Sequence, residues 1–128
     1  MSTETRETVE IPDWAQRYFA AADGFDIDTA VASFAEDARF TVGNSETVVG
    51  VQPGLGLLGE LFGAVDAVSH RFWSYSEAGA LSVLIADVTY TRKDGGVVTI
   101  PAVTAIERDA HGKFTSLQIV FDAAPVVS

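Results

Sequence analysis

The chain has 128 residues, with 18 acidic and 8 basic side chains, a net charge of −10 and no cysteine. The length suits one domain with its own core, and the missing cysteine excludes disulfides, thiolate catalysis and cysteine-ligated metals. The negative charge repels phosphate backbones, so no nucleic-acid partner is expected, and two histidines leave little for a metal site.

The first ten residues, MSTETRETVE, are polar and lack the basic flank and apolar core of a signal peptide. No apolar run reaches the roughly 20 residues that span a bilayer. We therefore expect a cytoplasmic protein without a membrane partner. Residues 1–10 are predicted to be a flexible lead, and residues 11–128 a single domain.

Two short helices are predicted next. Pro12 and Asp13 open the first helix, where a missing donor or a negative charge is tolerated, and Gly24 ends it. Asp26 is then a suitable N-cap for a second helix over residues 27–34.

The middle of the chain combines strands with a glycine-rich helix. Residues 39–42 alternate as a strand, a turn leads to a second short strand at 47–50, and Pro53 opens a third helix. Its glycines lower helix propensity, so we expect a short or irregular helix whose glycines permit close packing or movement.

Residues 54–59 read GLGLLG and match the dinucleotide-binding pattern GxGxxG. That pattern requires a βαβ unit in a parallel sheet, whereas the strands that follow here are joined by hairpin turns and must be antiparallel. We therefore assign no dinucleotide, and no cofactor is expected.

Four strands complete the predicted order α-α-β-(β)-α-β-β-β-β. A strand over residues 69–75 precedes three runs within residues 81–122, which are separated by KDGG at 93–96 and DAHG at 109–112. Both alternating faces of residues 81–90 are apolar, which indicates that one face covers a core or pocket and the other meets a second subunit. The alternative is a monomer with scattered apolar surface.

These segments, in this order and spacing, resemble the NTF2-like superfamily, and within it the SnoaL-like and ketosteroid-isomerase-like proteins. The resemblance covers about residues 13–126. Its motifs are QRY at 16–18, FAEDA at 34–38, SHR at 69–71, IPAVT at 100–104, GK at 112–113 and FDAAP at 121–125. It implies an α+β fold, the NTF2-like cone, in which a curved, mostly antiparallel sheet wraps around three helices from the N-terminal half. It also implies a homodimer formed through the outer sheet face.

The resemblance suggests a role for Tyr18, which matches the isomerase tyrosine that donates a hydrogen bond to a developing enolate oxygen. The isomerase base falls near Val42 and its protonated acid near Val103, and neither valine can move a proton. Steroid isomerisation by that set of residues is therefore not expected. The alternative for Tyr18 is a core tyrosine whose hydroxyl bonds a neighbour.

Asp122 matches the acid of the SnoaL-like C-terminal segment, where the family's cyclases use an aspartate for proton transfer. If Leu117 and Ile119 face the cone, Asp122 faces away from it unless a bulge or the strand end redirects it. The alternative is a strand-end residue that holds the C-terminal segment or the dimer partner. His70 would assist Asp122 or hold a substrate oxygen, or would be a structural histidine.

The expected pocket wall suits an apolar, cyclic ligand fixed by two or three hydrogen bonds. Gln118 is the remaining mid-strand polar candidate, and it shares its strand face with Asp122. The alternative is a cone filled by its own side chains. The predicted apolar wall consists of Trp14, Val42, Leu58, Phe62, Phe72, Leu84, Ala86, Val88, Val103, Ala105 and Phe121.

The resemblance favours a cofactor-independent isomerase, cyclase or dehydratase that acts by proton transfer on a small hydrophobic molecule. The catalytic candidates are Asp122, His70 and Tyr18. The alternative is a non-catalytic ligand-binding or dimerisation module on the same fold. A limonene-epoxide-hydrolase-like enzyme ranks last, because it needs an interior Asp-Arg-Asp set and no interior arginine is evident.

Overall fold

The first two helices begin and end where local sequence favours their termini. In the computed structural model, which describes residues 7–127, α1 spans Asp13–Asp23 and Gly24 is its C-cap. Asp26 caps α2 (Ile27–Val31), and its Oδ1 accepts the Thr29 N–H at 3.3 Å. The second helix ends earlier than predicted because Phe34 is already a buried strand residue.

The predicted N-terminal lead is described only in part. Residues 1–6 lie outside the described residues. Within residues 7–10, the Val9 N–H donates a hydrogen bond to the Phe72 carbonyl oxygen at 3.1 Å. That bond ties this part of the lead to an edge strand.

In the described part of the chain, six strands form one sheet in the order β2-β1-β6-β5-β4-β3. The predicted antiparallel series is confirmed for β3 to β6, whereas β1 pairs with β6 in parallel. No helix in the described part of the chain is both long and apolar enough to cross a bilayer. The remaining elements are β1 (Phe34–Val42), β2 (Val48–Val49), α3 (Val51–Gly63), β3 (Val65–Ala78), β4 (Leu81–Arg92), β5 (Val97–Arg108), β6 (Phe114–Val120) and α4 (Ala124–Val127).

Both predicted hairpin turns are confirmed. Gly95 and Gly112 have φ values of 86° and 81°, which a residue with a side chain rarely adopts. An aspartate stabilises each turn: Asp94 Oδ1 accepts the Gly96 N–H at 2.8 Å, and Asp109 Oδ1 accepts the Lys113 N–H at 3.0 Å.

The glycine-rich helix α3 is regular over its 13 residues, so the expected irregularity is not observed. Gly54 packs so closely on β1 that an added Cβ would overlap the ring of Phe40, which is fully buried. Gly56 and Gly59 have no atom within 4 Å of an added Cβ. The GxGxxG pattern thus lies inside a helix, where one of its glycines serves packing against the sheet.

The two faces of the sheet follow strand alternation. On β4, Leu84, Ala86 and Val88 are buried in the core, as predicted. On β5 the buried residues are Ala102, Thr104 and Ile106, because Leu84 pairs with Thr104 and Ala86 with Ala102. Val103 and Ala105, predicted for the pocket wall, therefore lie on the outer face, the side of the sheet that also carries Ile85.

Candidate functional site

A small cavity lies between the helices and the inner face of the sheet. It has a volume of about 20 Å³, and we call it the inner cavity. Four polar side chains enter its otherwise apolar wall: Tyr18, His70, Tyr90 and Thr104. A volume of this size admits roughly one water molecule. The apolar part of its wall consists of Phe19, Ala22, Leu58, Leu61, Phe62, Val68, Ala102, Leu117 and Ile119.

A histidine–carboxylate pair borders this cavity. His70 Nδ1 lies 2.6 Å from Asp23 Oδ1, and the His70 backbone N–H donates to Asp23 Oδ2 at 3.1 Å. Because an ionised carboxylate only accepts hydrogen bonds, Nδ1 carries a proton and Nε2 is the ring nitrogen left for other chemistry. Both side chains are largely buried, with 14% exposure for His70 and 26% for Asp23.

The fold brings this pair together from distant parts of the sequence. Asp23 is the last residue of α1, where the helix dipole disfavours a negative charge. His70 lies in β3, and its two hydrogen bonds occupy both oxygens of that carboxylate. The pairing therefore offsets an unfavourable local position and fixes the end of α1 against the sheet.

Aromatic rings hold the imidazole of His70 in place. The Phe72 ring stacks on it with centroids 5.6 Å apart and an angle of 11°, and the Phe19 ring is 4.9 Å away. The rings of Phe19 and Phe72 also touch, with centroids 4.7 Å apart. A histidine constrained by a carboxylate and two rings has little freedom to change its orientation.

The two tyrosines near this pair keep their protons firmly. Burial raises the pKa of Tyr18 far above its ordinary value, and the negative charge of Asp23 raises it further. Burial and the same carboxylate raise the pKa of Tyr90 to about 12. Both phenols are therefore neutral hydrogen-bond donors at physiological pH.

A second, larger cavity lies among the helices, and we call it the helix pocket. It has a volume of about 220 Å³, and among the described residues that line it, Tyr18 is the one whose side chain carries a polar group. It shares four wall residues with the inner cavity, so these side chains form the partition between the two spaces. They are Tyr18, Ala22, Leu58 and Phe62.

The family assignment follows from the sequence itself. The family model of the SnoaL-like domain matches residues 15–117. This chain belongs to the SnoaL-like family. Among curated proteins, none matches the sequence.

Solved structures show that this SnoaL-like chain has the NTF2-like cone fold predicted from its sequence. An NTF2-like protein of unknown function from Burkholderia pseudomallei has a TM-score of 0.79 and 16% identity, covering 89% of this chain and 94% of its own. A hypothetical protein with a ketosteroid-isomerase-like fold from Catenulispora acidiphila, solved with trimethylamine, has a TM-score of 0.79 and 18% identity, covering 91% of each chain. A protein from Jannaschia sp. provisionally assigned as a SnoaL-like polyketide cyclase has a TM-score of 0.77 and 16% identity, covering 95% of this chain and 98% of its own.

Several residues of the SnoaL-like chain lie where sequence reasoning placed them. Tyr18, His70, Leu58 and Phe62 line the inner cavity. Val88 is fully buried in the core beside it. Their roles in catalysis or ligand binding remain predictions, because position alone does not establish a function.

Other predicted pocket residues lie elsewhere. Trp14 packs on the opposite part of the core, with its ring 5.5 Å from that of Phe114 and 4.0 Å from the Arg108 guanidinium carbon. Val42 and Phe121 line a separate surface cleft of about 270 Å³. Gln118 is exposed on the outer face, so its predicted place in the pocket is wrong.

Asp122 also lies outside the inner cavity. It is exposed, and its Oδ1 accepts the Ala124 N–H at 3.1 Å at the start of α4. Leu117 and Ile119 face the inner cavity, so alternation along β6 turns the next polar positions outward. This position matches the strand-end alternative, and the carboxylate that meets His70 is Asp23.

Sequence reasoning missed three polar residues of the site. Asp23, Tyr90 and Thr104 come from α1, β4 and β5. The available signal for Asp23 was an acid in the last turn of a helix, where the dipole gives it no local stabilisation. Within residues 7–127, no group of three or more His, Cys, Asp or Glu side chains could hold a metal ion.

Proposed function

We propose that this SnoaL-like protein catalyses cofactor-independent proton transfer on a small, uncharged hydrophobic molecule, with His70 as the acid/base. The observation that carries the proposal is the 2.6 Å bond between His70 Nδ1 and Asp23 Oδ1 beside a cavity that Tyr18 also lines. A histidine oriented by a carboxylate is a common arrangement for a general base, because the carboxylate fixes the tautomer and stabilises the protonated ring.

His70, Asp23 and Tyr18 would have separate roles in the reaction. His70 Nε2 takes a proton from the carbon next to a carbonyl, while Asp23 holds the ring and balances the positive charge that develops on it. Tyr18 donates its hydroxyl hydrogen to the carbonyl oxygen as negative charge grows there. Return of the proton to another carbon gives isomerisation, and attack of the enolate on a second carbonyl gives cyclisation.

Exchange of carbon-bound protons in D₂O tests this proposal without knowledge of the natural substrate. Acetophenone exchanges its methyl protons only after one of them is abstracted, and the loss of that signal is followed by proton NMR. We expect the unmodified protein to accelerate exchange, with a rate that depends on pH as general-base catalysis requires. His70→Gln should lower the protein-dependent rate by about 10²-fold or more.

His111→Gln is the matched control, because His111 is exposed in the β5–β6 turn. Its exchange rate should equal that of the unmodified protein. Asp23→Asn should reduce the rate and leave the fold intact, since asparagine retains one oxygen acceptor. A protein that gives no acceleration, or a His70→Gln variant with the full rate, contradicts the proposal.

A second candidate is a ligand-binding module without catalysis, and the small volume of the inner cavity favours it. About 20 Å³ leaves room for one oxygen atom beside His70, not for a whole ring. Under this alternative a ligand binds with an affinity that does not change between pH 6 and pH 8. The rate–pH profile for exchange is then flat and equal to that of buffer.

We also propose that two chains pair through the outer face. Ile85, Val103 and Val120 lie side by side there, since Val103 pairs with both of the others, and Val120 is 53% exposed. Contiguous apolar surface of this kind favours association. Light scattering should show a dimer that Val103→Lys converts to a monomer. Val49→Lys, an exposed position on β2, should remain dimeric.

A further inference from the structure

We infer that the helix pocket binds the apolar part of the substrate, a single ring or branched alkyl group of about nine non-hydrogen atoms including its oxygen. This inference extends the proposed function and rests on it only for the placement of that oxygen. The volume sets the size, because an apolar cavity of roughly 150 Å³ accommodates benzene and the helix pocket has about 220 Å³.

The partition between the two spaces sets the orientation of the ligand. Leu58 and Phe62 belong to the walls of both, so a ring in the helix pocket is one side chain away from the inner cavity. The inner cavity has room for one oxygen atom and is bordered by Tyr18 and His70. The ligand therefore points its carbonyl group, with the carbon next to it, towards Tyr18 and the inner cavity, and leaves its ring or alkyl group between the helices.

The mouth of the helix pocket carries exposed apolar side chains. Ile27 lines the pocket and is 46% exposed, and Phe25 is 37% exposed with its ring 5.7 Å from that of Phe62. Phe25 has a φ of 55°, a strained backbone conformation for an aromatic residue. Exposed apolar groups and local backbone strain both concentrate at binding sites.

The chemistry of the wall excludes a charged group from the enclosed part of the ligand. Among residues 7–127, no acid, base or amide side chain lines the helix pocket, and Tyr18 is the one lining residue with a polar side chain. A carboxylate or phosphate placed there would lose its hydration without a partner. The net charge of −10 adds a general repulsion of anions. The ligand class is thus a compact, neutral ketone, aldehyde or alcohol.

Ethylbenzene is a suitable probe because it fits the pocket and carries no oxygen or acidic proton. Its binding is measured by NMR titration of the amide signals of the unmodified protein. We expect saturable shifts at Leu55, Gly59 and Phe62, with contacts from the ligand to the Ile27 methyl groups. Absence of binding up to the solubility limit of ethylbenzene overturns the inference.

Two leucine variants of α3 locate the site. Gly59 lines the helix pocket and Gly56 does not, yet neither has an atom within 4 Å of an added Cβ. Gly59→Leu should fill the pocket and weaken ethylbenzene binding at least tenfold, whereas Gly56→Leu should bind as the unmodified protein does. Equal binding by both variants overturns the inference. If Gly59→Leu does not fold, the site is located by the ethylbenzene contacts in the unmodified protein, and their absence at Ile27 overturns the inference.

The outcome is separable from that of the proposed function. His70→Gln should bind ethylbenzene with unchanged affinity, because the probe does not use the histidine. If ethylbenzene binds but the exchange of acetophenone protons is not accelerated, the proton-transfer proposal is refuted and ligand binding in the helix pocket is supported. If Gly59→Leu accelerates the exchange of acetophenone protons with an unchanged KM, ligand binding in the helix pocket is refuted and the proton-transfer proposal is supported.

Discussion

Gly54→Ala tests how α3 packs on the sheet. In the middle of a helix this substitution ordinarily stabilises a protein by about 1 kcal/mol, because alanine restricts the unfolded chain and favours the helix. At this position the new methyl group would overlap the ring of Phe40. Phe40 is fully buried and packs on Phe34 with ring centroids 4.7 Å apart, so it cannot move aside without disturbing the core.

The magnitude follows from two opposing contributions. Overpacking a core costs about 1–3 kcal/mol, and the overlap with three ring atoms places Gly54→Ala at the upper end of that range. After the gain in helix propensity, the free energy of unfolding should fall by about 2 kcal/mol. Gly56→Ala meets no atom within 4 Å and should raise it by about 1 kcal/mol.

Urea unfolding followed by circular dichroism measures both variants on the same scale. The difference of about 3 kcal/mol between them corresponds to roughly 10 °C in Tm for a domain of this size. Combining Gly54→Ala with Phe40→Leu should recover part of the loss, because the smaller side chain leaves room for the methyl group. A Gly54→Ala protein as stable as Gly56→Ala would refute the close contact between α3 and β1.

Three further predictions concern single side chains. Burial raises the pKa of Tyr90 from 10.0 to about 12, so the stability it contributes is present below pH 10 and is lost as the pH rises to 12. Between these two pH values the free energy of unfolding, measured by urea titration, should fall by about 3 kcal/mol less in Tyr90→Phe than in the unmodified protein. Asp26→Ala removes the N-cap of α2 and should lower the free energy of unfolding by about 1 kcal/mol, whereas no change would show that the cap is dispensable. Asp122→Asn should leave the rate of acetophenone proton exchange unchanged. A hundredfold lower rate would show that Asp122 takes part in catalysis.

Much of the architecture could be predicted because it depends on local chemistry. Asp94 and Asp109 each precede a glycine by one to three positions, and both segments are hairpin turns. Asp26 is the predicted cap, and Gly24 ends α1. These features need only the conformational freedom of glycine and the hydrogen bonds of a short acidic side chain.

The direction in which β5 faces could not be predicted in the same way. Its residues are apolar or small on both alternating sides, so Ala102 and Val103 are equally acceptable as core positions. The choice is made by pairing with β4, where Thr104 lies opposite Leu84. Register between strands is a long-range property, and a shift of one residue would turn Val103 inward.

The histidine–carboxylate pair shows a different limit. His70 is predictable as a site residue because it is a polar residue in an otherwise apolar strand. Its partner Asp23, however, lies 47 residues earlier, at the end of a helix. No local pattern connects Asp23 with β3. The family resemblance suggested an acid/base role for Asp122, yet its carboxylate is exposed and accepts a hydrogen bond from the Ala124 N–H. Pairing across the fold depends on how α1 packs, which alternation and spacing do not specify.

The parallel pairing of β1 with β6 has a consequence for how this chain folds. The β3 to β6 hairpins join neighbours in sequence, whereas the β1 contacts join Arg39 to Ser116 and Val42 to Ile119. The entropy of closing so large a loop must be offset before those contacts contribute, so such pairings form late and slowly. We expect amide hydrogen exchange during refolding to protect β4 and β5 first. Until β1 arrives, β6 is an open edge through which two half-folded chains could join.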